Sequence, residues 1–92
     1  MRTVWKYPIP LWISTFYFDI PHGARFLVAA QKSNENNYSM WFEIPDTEAK
    51  KENHCFTLVA TGGYAPTSGT YLATVFYSFY VFHIYEVHND AR

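Results

Sequence analysis

The 92-residue chain carries a single cysteine, Cys55, so no internal disulfide can form, and there is no CxxC or paired Cys/His spacing for a structural zinc ion. A reducing compartment is the expectation. Charge is also scarce: 16% of the residues, seven Lys plus Arg against eight Asp plus Glu, for a net charge of −1. No cations cluster to neutralise phosphates or anionic lipid, which excludes duplex nucleic acid and a membrane surface as expected partners. No apolar run reaches the roughly 20 residues of a membrane span. The apolar stretch Ile9 to Phe18 follows Arg2 and Lys6, but Pro8 and Pro10 interrupt this region and Asp19 closes it. No small-residue cleavage site follows, so it is read as part of the fold rather than as a secretion signal. Internal repeats, low-complexity tracts and a clean 3.6-residue apolar period are all missing.

What the chain does have is apolar and aromatic residues, 49% and 21% of the sequence. At this length that composition predicts one domain over residues 1–92, with a polar tail at 88–92. Short runs of Val, Ile, Thr, Tyr, Phe and Trp separated by Pro, Gly, Asn and Ser predict an all-β domain. Seven strands are expected: Thr3 to Tyr7, Ser14 to Ile20, Arg25 to Lys32, Tyr38 to Ile44, His54 to Thr61, Thr70 to Tyr77 and Phe79 to Val87. Such short antiparallel strands assemble into a two-layer sandwich or a small barrel. Alternation puts Phe16, Phe18 and Ile20 on one face of the second strand, and sets Met40, Phe42 and Ile44 opposite Trp41 and Glu43 on the fourth.

Turn chemistry fills the gaps. Pro21-His22-Gly23 reads as a tight turn, and Ser33 to Asn37 as the closure of a hairpin. The charged stretch Asp46 to Asn53 has no apolar stripe and reads as a loop. Gly62 to Gly69 cannot be regular structure.

Four motifs carry a resemblance: Thr3-Val4-Trp5-Lys6-Tyr7-Pro8, Ile20-Pro21-His22-Gly23-Ala24-Arg25, Thr61-Gly62-Gly63 and Phe82-His83-Ile84-Tyr85-Glu86. In order and spacing the chain resembles a family of small bacteriophage-encoded proteins of unknown function. It departs at Gly62-Gly63-Tyr64, where such proteins show Thr-Gly-His-Pro, and around Tyr77-Ser78-Phe79, which lacks their glycines. The resemblance implies a phage origin and the cytoplasm of the host bacterium.

Catalytic chemistry finds little support. His54 and Cys55 are successive strand residues and point to opposite faces, so the imidazole cannot activate the thiol. Nothing in the sequence draws the carboxylates of Asp19, Glu43, Asp46 and Glu86 together. In the 61–70 loop, Gly62, Gly63 and Gly69 let backbone amides approach an anion, and Thr67 and Ser68 add hydroxyls. The loop lacks a P-loop lysine, so Walker-type nucleotide binding is excluded. A looser phosphate site with Arg25 as counter-charge and Tyr64 or Trp41 stacking on a base stays open. The aromatics set a second expectation, because strand alternation leaves Tyr17, Trp41, Tyr71 and Tyr80 opposite the core-facing set.

These residues and the resemblance point to a non-enzymatic phage accessory protein with no cofactor, working by binding a host protein of antiviral defence. The alternatives are a sponge that sequesters a nucleotide signal and a minor virion or assembly protein. The expected binding set is Arg25, Trp41, Gly62, Gly63, Tyr64, Thr67, Ser68, Tyr71 and Tyr80. Aromatics on both faces of the last two strands further predict a homodimer that buries part of the Thr70 to Val87 hairpin.

Overall fold

The computed structural model describes residues 2–31, 37–77 and 79–88, and among these every regular element is a strand. The strands are β1 (Thr3–Pro8), β2 (Thr15–Pro21), β3 (Arg25–Gln31), β4 (Tyr38–Ile44), β5 (Lys51–Ala60), β6 (Gly69–Tyr77) and β7 (Tyr80–Val87). They form two antiparallel sheets, one of three strands in the order β1-β4-β3 and one of four in the order β2-β5-β7-β6. This is the expected all-β sandwich. The expected turn at 33–37 lies outside the described residues except for Asn37, as does the tail beyond His88.

Alternation decides which side chains lie between the sheets. Phe16 and Ile20 of β2, Met40, Phe42 and Ile44 of β4, Phe56 and Leu58 of β5, Val75 of β6 and Ile84 of β7 are buried in one cluster. Fully burying an aromatic such as Phe56 contributes about 1.5–3 kcal/mol. Its ring meets Phe16 and Phe18 at centroid distances of 5.6 Å and reaches across the layers to Phe42 at 6.2 Å. Tyr7 closes the same cluster against Phe18 and Phe42.

Two local features of the sequence set the turns. Gly23 holds φ 86°, a left-handed conformation that costs a side-chain-bearing residue energy, and Ala24 N–H closes the turn onto the Pro21 carbonyl. After β4, Asp46 accepts from Glu48 N–H with its side chain and from Ala49 N–H with its carbonyl, turning the chain toward β5.

The start of β5 corrects the sequence reading, which placed Lys51 to Asn53 in a loop. Those residues pair with Pro21, Ile20 and Asp19 of β2, and the Asn53 amide donates to the Asp19 carboxylate at 3.0 Å. The backbone ladder accepts polar residues there because β7 pairs with β5 only from Cys55 onward.

The edge strands β3 and β6 each carry an irregularity in register, at Leu27 and Leu72. Such bulges blunt an edge against pairing with another chain. Because β5 and β6 both run antiparallel to β7, which lies between them, residues 61–68 must travel from one end of the sheet to the other. The connection β1 to β2, the start of this crossover and the turn between β6 and β7 therefore all meet at one end of the sandwich, here termed the apex.

Candidate functional site

The apex is built first by the β1 to β2 connection. Pro8 and Pro10 stop β1, and the chain is then pinned: Ile9 is buried and its N–H donates to the Tyr38 carbonyl at 2.9 Å, while Leu58 N–H reaches the Ser14 carbonyl at 2.7 Å. Between these anchors Ile13 N–H closes a turn onto the Pro10 carbonyl. Trp12 at the tip of that turn is 80% exposed. Across the apex, the turn from β6 to β7 presents Phe79 at 97% and Phe76 at 66% exposure, beside the half-exposed Tyr80.

Between the two segments lies a mainly apolar groove of about 300 Å³ lined by Leu11, Trp12, Asn37, Tyr77, Tyr80 and Phe82. Its wall is stiffened by the Tyr80 and Phe82 rings, stacked at 5.8 Å and 18°, and by the Tyr38 hydroxyl, which donates to the Phe76 carbonyl from the other layer. From Tyr7 to Phe18 and from Asn53 to Tyr85 the chain carries no Lys, Arg, Asp or Glu. Among the described residues, the apex therefore offers rings and backbone without formal charge. Contiguous exposed apolar surface of this kind marks interaction sites.

The structure divides the sequence-predicted binding residues among three places. Tyr80 lines the apex groove. Arg25 and Trp41 lie on the outer face of the three-stranded sheet, where Trp41 pairs with Lys6 and Val28 and Arg25 pairs with Glu43. Glu43 occupies both nearby guanidinium groups, with Arg25 at 3.4 Å and Arg2 at 3.6 Å.

Gly62, Gly63, Tyr64, Thr67 and Ser68 lie in the crossover of the four-stranded sheet. Gly62 has φ 95° and Gly63 N–H donates to the Ala60 carbonyl at 2.8 Å, so the glycine corner closes on itself. Tyr64 projects into solvent, and the Ser68 carbonyl accepts from His88 N–H. Tyr71 stands on the outer face of the same sheet, its ring edge-on to Tyr85 and its hydroxyl 2.7 Å from Thr74 Oγ1. That hydroxyl chain continues through His83, whose Nδ1 lies 2.9 Å from Thr74 Oγ1 and whose Nε2 lies 2.9 Å from Thr61 Oγ1. Arg25 and Trp41 thus occupy the outer surface of one layer, while the glycine loop with Tyr64 belongs to the other.

Sequence reasoning missed one further constellation, a cavity of about 680 Å³ remote from the apex. His54 donates from Nδ1 to Glu86 Oε2 at 2.6 Å, and both side chains are largely buried. Glu86 faces Phe56 across the ladder, so this contact runs diagonally between β5 and β7. Cys55, also lining the cavity, pairs with Tyr17 on β2, and the neighbouring thiol pushes that phenol's pKa upward. Imidazole, carboxylate and thiol share a cavity, yet the imidazole is committed to the carboxylate and the thiol belongs to the next residue along the strand, on the opposite face.

A family model described as a domain of unknown function, DUF7352, matches residues 1–92, and the chain belongs to that family. No curated protein and no solved structure matches it significantly.

Proposed function

We propose that this member of the DUF7352 family acts by binding, and that its apex docks onto a protein of the host cell. The observation that carries the reading is the apex, uncharged among the described residues, where Trp12, Phe79 and Tyr80 stand exposed at an apolar groove. Aromatic residues supply large, stiff contact area at low entropic cost and dominate the energetic centres of protein interfaces. Binding is favoured over catalysis because His54 engages Glu86 and Cys55, the next residue along β5, points to the opposite face, which leaves the thiol without the imidazole partner a nucleophile needs. The resemblance to small phage proteins supports the bacterial cytoplasm as the setting and a component of antiviral defence as the class of partner.

A photoreactive phenylalanine analogue placed at position 79, and separately at position 28 on the outer face of the three-stranded sheet, tests this in infected cells. One discrete adduct to a host protein from position 79 and none from position 28 is the expected result. Equal labelling from both positions, or no adduct from 79, contradicts it.

A further inference from the structure

We infer that a second copy of this chain closes the apex when no partner is present, each copy's Phe79 entering the other's groove about a two-fold axis. The inference rests on the reading of the apex as a docking surface and adds a regulatory step to it, since partner and second copy then compete for one surface.

Three observations support a second copy as the occupant. First, the apex is self-complementary. Phe79 is a knob 97% exposed, and its neighbours Tyr77 and Tyr80 already line the 300 Å³ groove, so knob and hole lie side by side on one molecule. A two-fold contact needs this arrangement, because residue i of one copy meets residue j of the other and the reverse holds simultaneously.

Second, no charge among the described apex residues opposes the contact, and a net charge of −1 gives two copies little long-range repulsion. Lys32 and Glu35, in the connection from β3 to β4, lie outside the described residues, whereas Arg2, Arg25, Glu43, Asp46, Lys50, Lys51 and Glu52 sit in or beside elements directed to the opposite end. An apex-to-apex pair keeps them in water.

Third, the surface is large enough. Aromatic side chains cover about 150–250 Å² each, so Trp12, Phe79, Tyr80 and the partly exposed Tyr77 and Ile13 together present on the order of 700 Å². That approaches the roughly 800 Å² per partner of a standard interface.

Sedimentation velocity of the full chain from low to high micromolar concentration tests the inference. The expected result is a monomer–dimer equilibrium, weakened at least about tenfold by Phe79→Ser and by Trp12→Ser and unchanged by Val4→Ser on the far sheet. A circular dichroism spectrum confirms that each variant is folded, which the exposure of Phe79 and Trp12 favours. As a second readout, the photoreactive residue at position 79 is expected to link to the peptide of the other copy holding Leu11 and Trp12, or to that holding Tyr77 to Phe82. A wild type that stays monomeric at high micromolar concentration overturns the inference, as does an open-ended assembly or a dimer indifferent to Phe79→Ser. Such a failure leaves host docking standing, since that is judged by the host adduct. Loss of the host adduct with the dimer intact removes the proposed function alone.

Discussion

The Tyr38 hydroxyl of β4 donates to the Phe76 carbonyl of β6, joining the two layers beside the apex groove. The contact links the first residue of one strand to the penultimate residue of another in the opposite sheet, so it fixes how the exposed Phe76 and Phe79 are presented. Tyr38→Phe keeps the ring and removes the donor. The expected cost is about 1 kcal/mol of stability, read as a lower urea midpoint with an unchanged slope.

Phe56 sits where both sheets converge, fully buried against Phe16, Phe18 and Phe42. Phe56→Ala is expected to cost about 3–5 kcal/mol, a large share of the stability of a domain this size. Phe79→Ala, by contrast, removes a ring that packs on nothing in the folded chain. Its unfolding midpoint should stay within about 0.5 kcal/mol of the wild type.

Gly62 in the crossover and Gly69 at the start of β6 behave differently under substitution. A Cβ at Gly62 meets nothing within 4 Å, but the φ of 95° is strained for most residues. Gly62→Asn is therefore expected to be nearly neutral and Gly62→Val to cost about 1–2 kcal/mol. A Cβ at Gly69 comes within 2.9 Å of the Glu86 carbonyl, which belongs to the β6 to β7 ladder and cannot move aside. Gly69→Ala should lower the thermal midpoint more than Gly62→Asn does.

Alkaline pH probes Tyr7. Burial, reinforced by the Asp19 carboxylate, raises its phenol above the ordinary value of 10.0. The folded chain then keeps a proton that the unfolded chain releases, so the stabilisation is complete below about pH 10 and is lost as pH rises through the raised folded value. Tyr7→Phe should flatten the fall in stability on the alkaline side, and Asp19→Asn should lower the Tyr7 titration midpoint. Phenolate absorbance followed alongside unfolding checks both.

The strands were legible in the sequence because their alternation is local. Phe16, Phe18 and Ile20 announce a buried face without reference to any neighbour, and so do Met40, Phe42 and Ile44. The start of β5 was not legible, since Lys51 to Asn53 are polar and join a strand only because β2 offers a ladder. The site was harder still. The groove draws on Leu11 and Trp12 from one segment and on Tyr77, Tyr80 and Phe82 from another, and only the order of strands brings them to the same end. Exposed rings were anticipated from alternation at Tyr71 and Tyr80, but Trp12 and Phe79 lie in turns, where alternation gives no signal. The separation of Arg25 and Trp41 from the glycine loop likewise follows from sheet membership, which composition does not encode.

The account depends on the apex being the surface that partners recognise. The most direct measurement is the affinity of the host protein captured at position 79 for the wild type, for Trp12→Ser with Phe79→Ser, and for Val4→Ser with Val28→Ser. The predicted result is a loss of at least about tenfold in the apex variant, equivalent to about 1.4 kcal/mol, with the sheet-face variant indistinguishable from the wild type. Full affinity in the folded apex variant, or a loss confined to the sheet-face variant, contradicts the account.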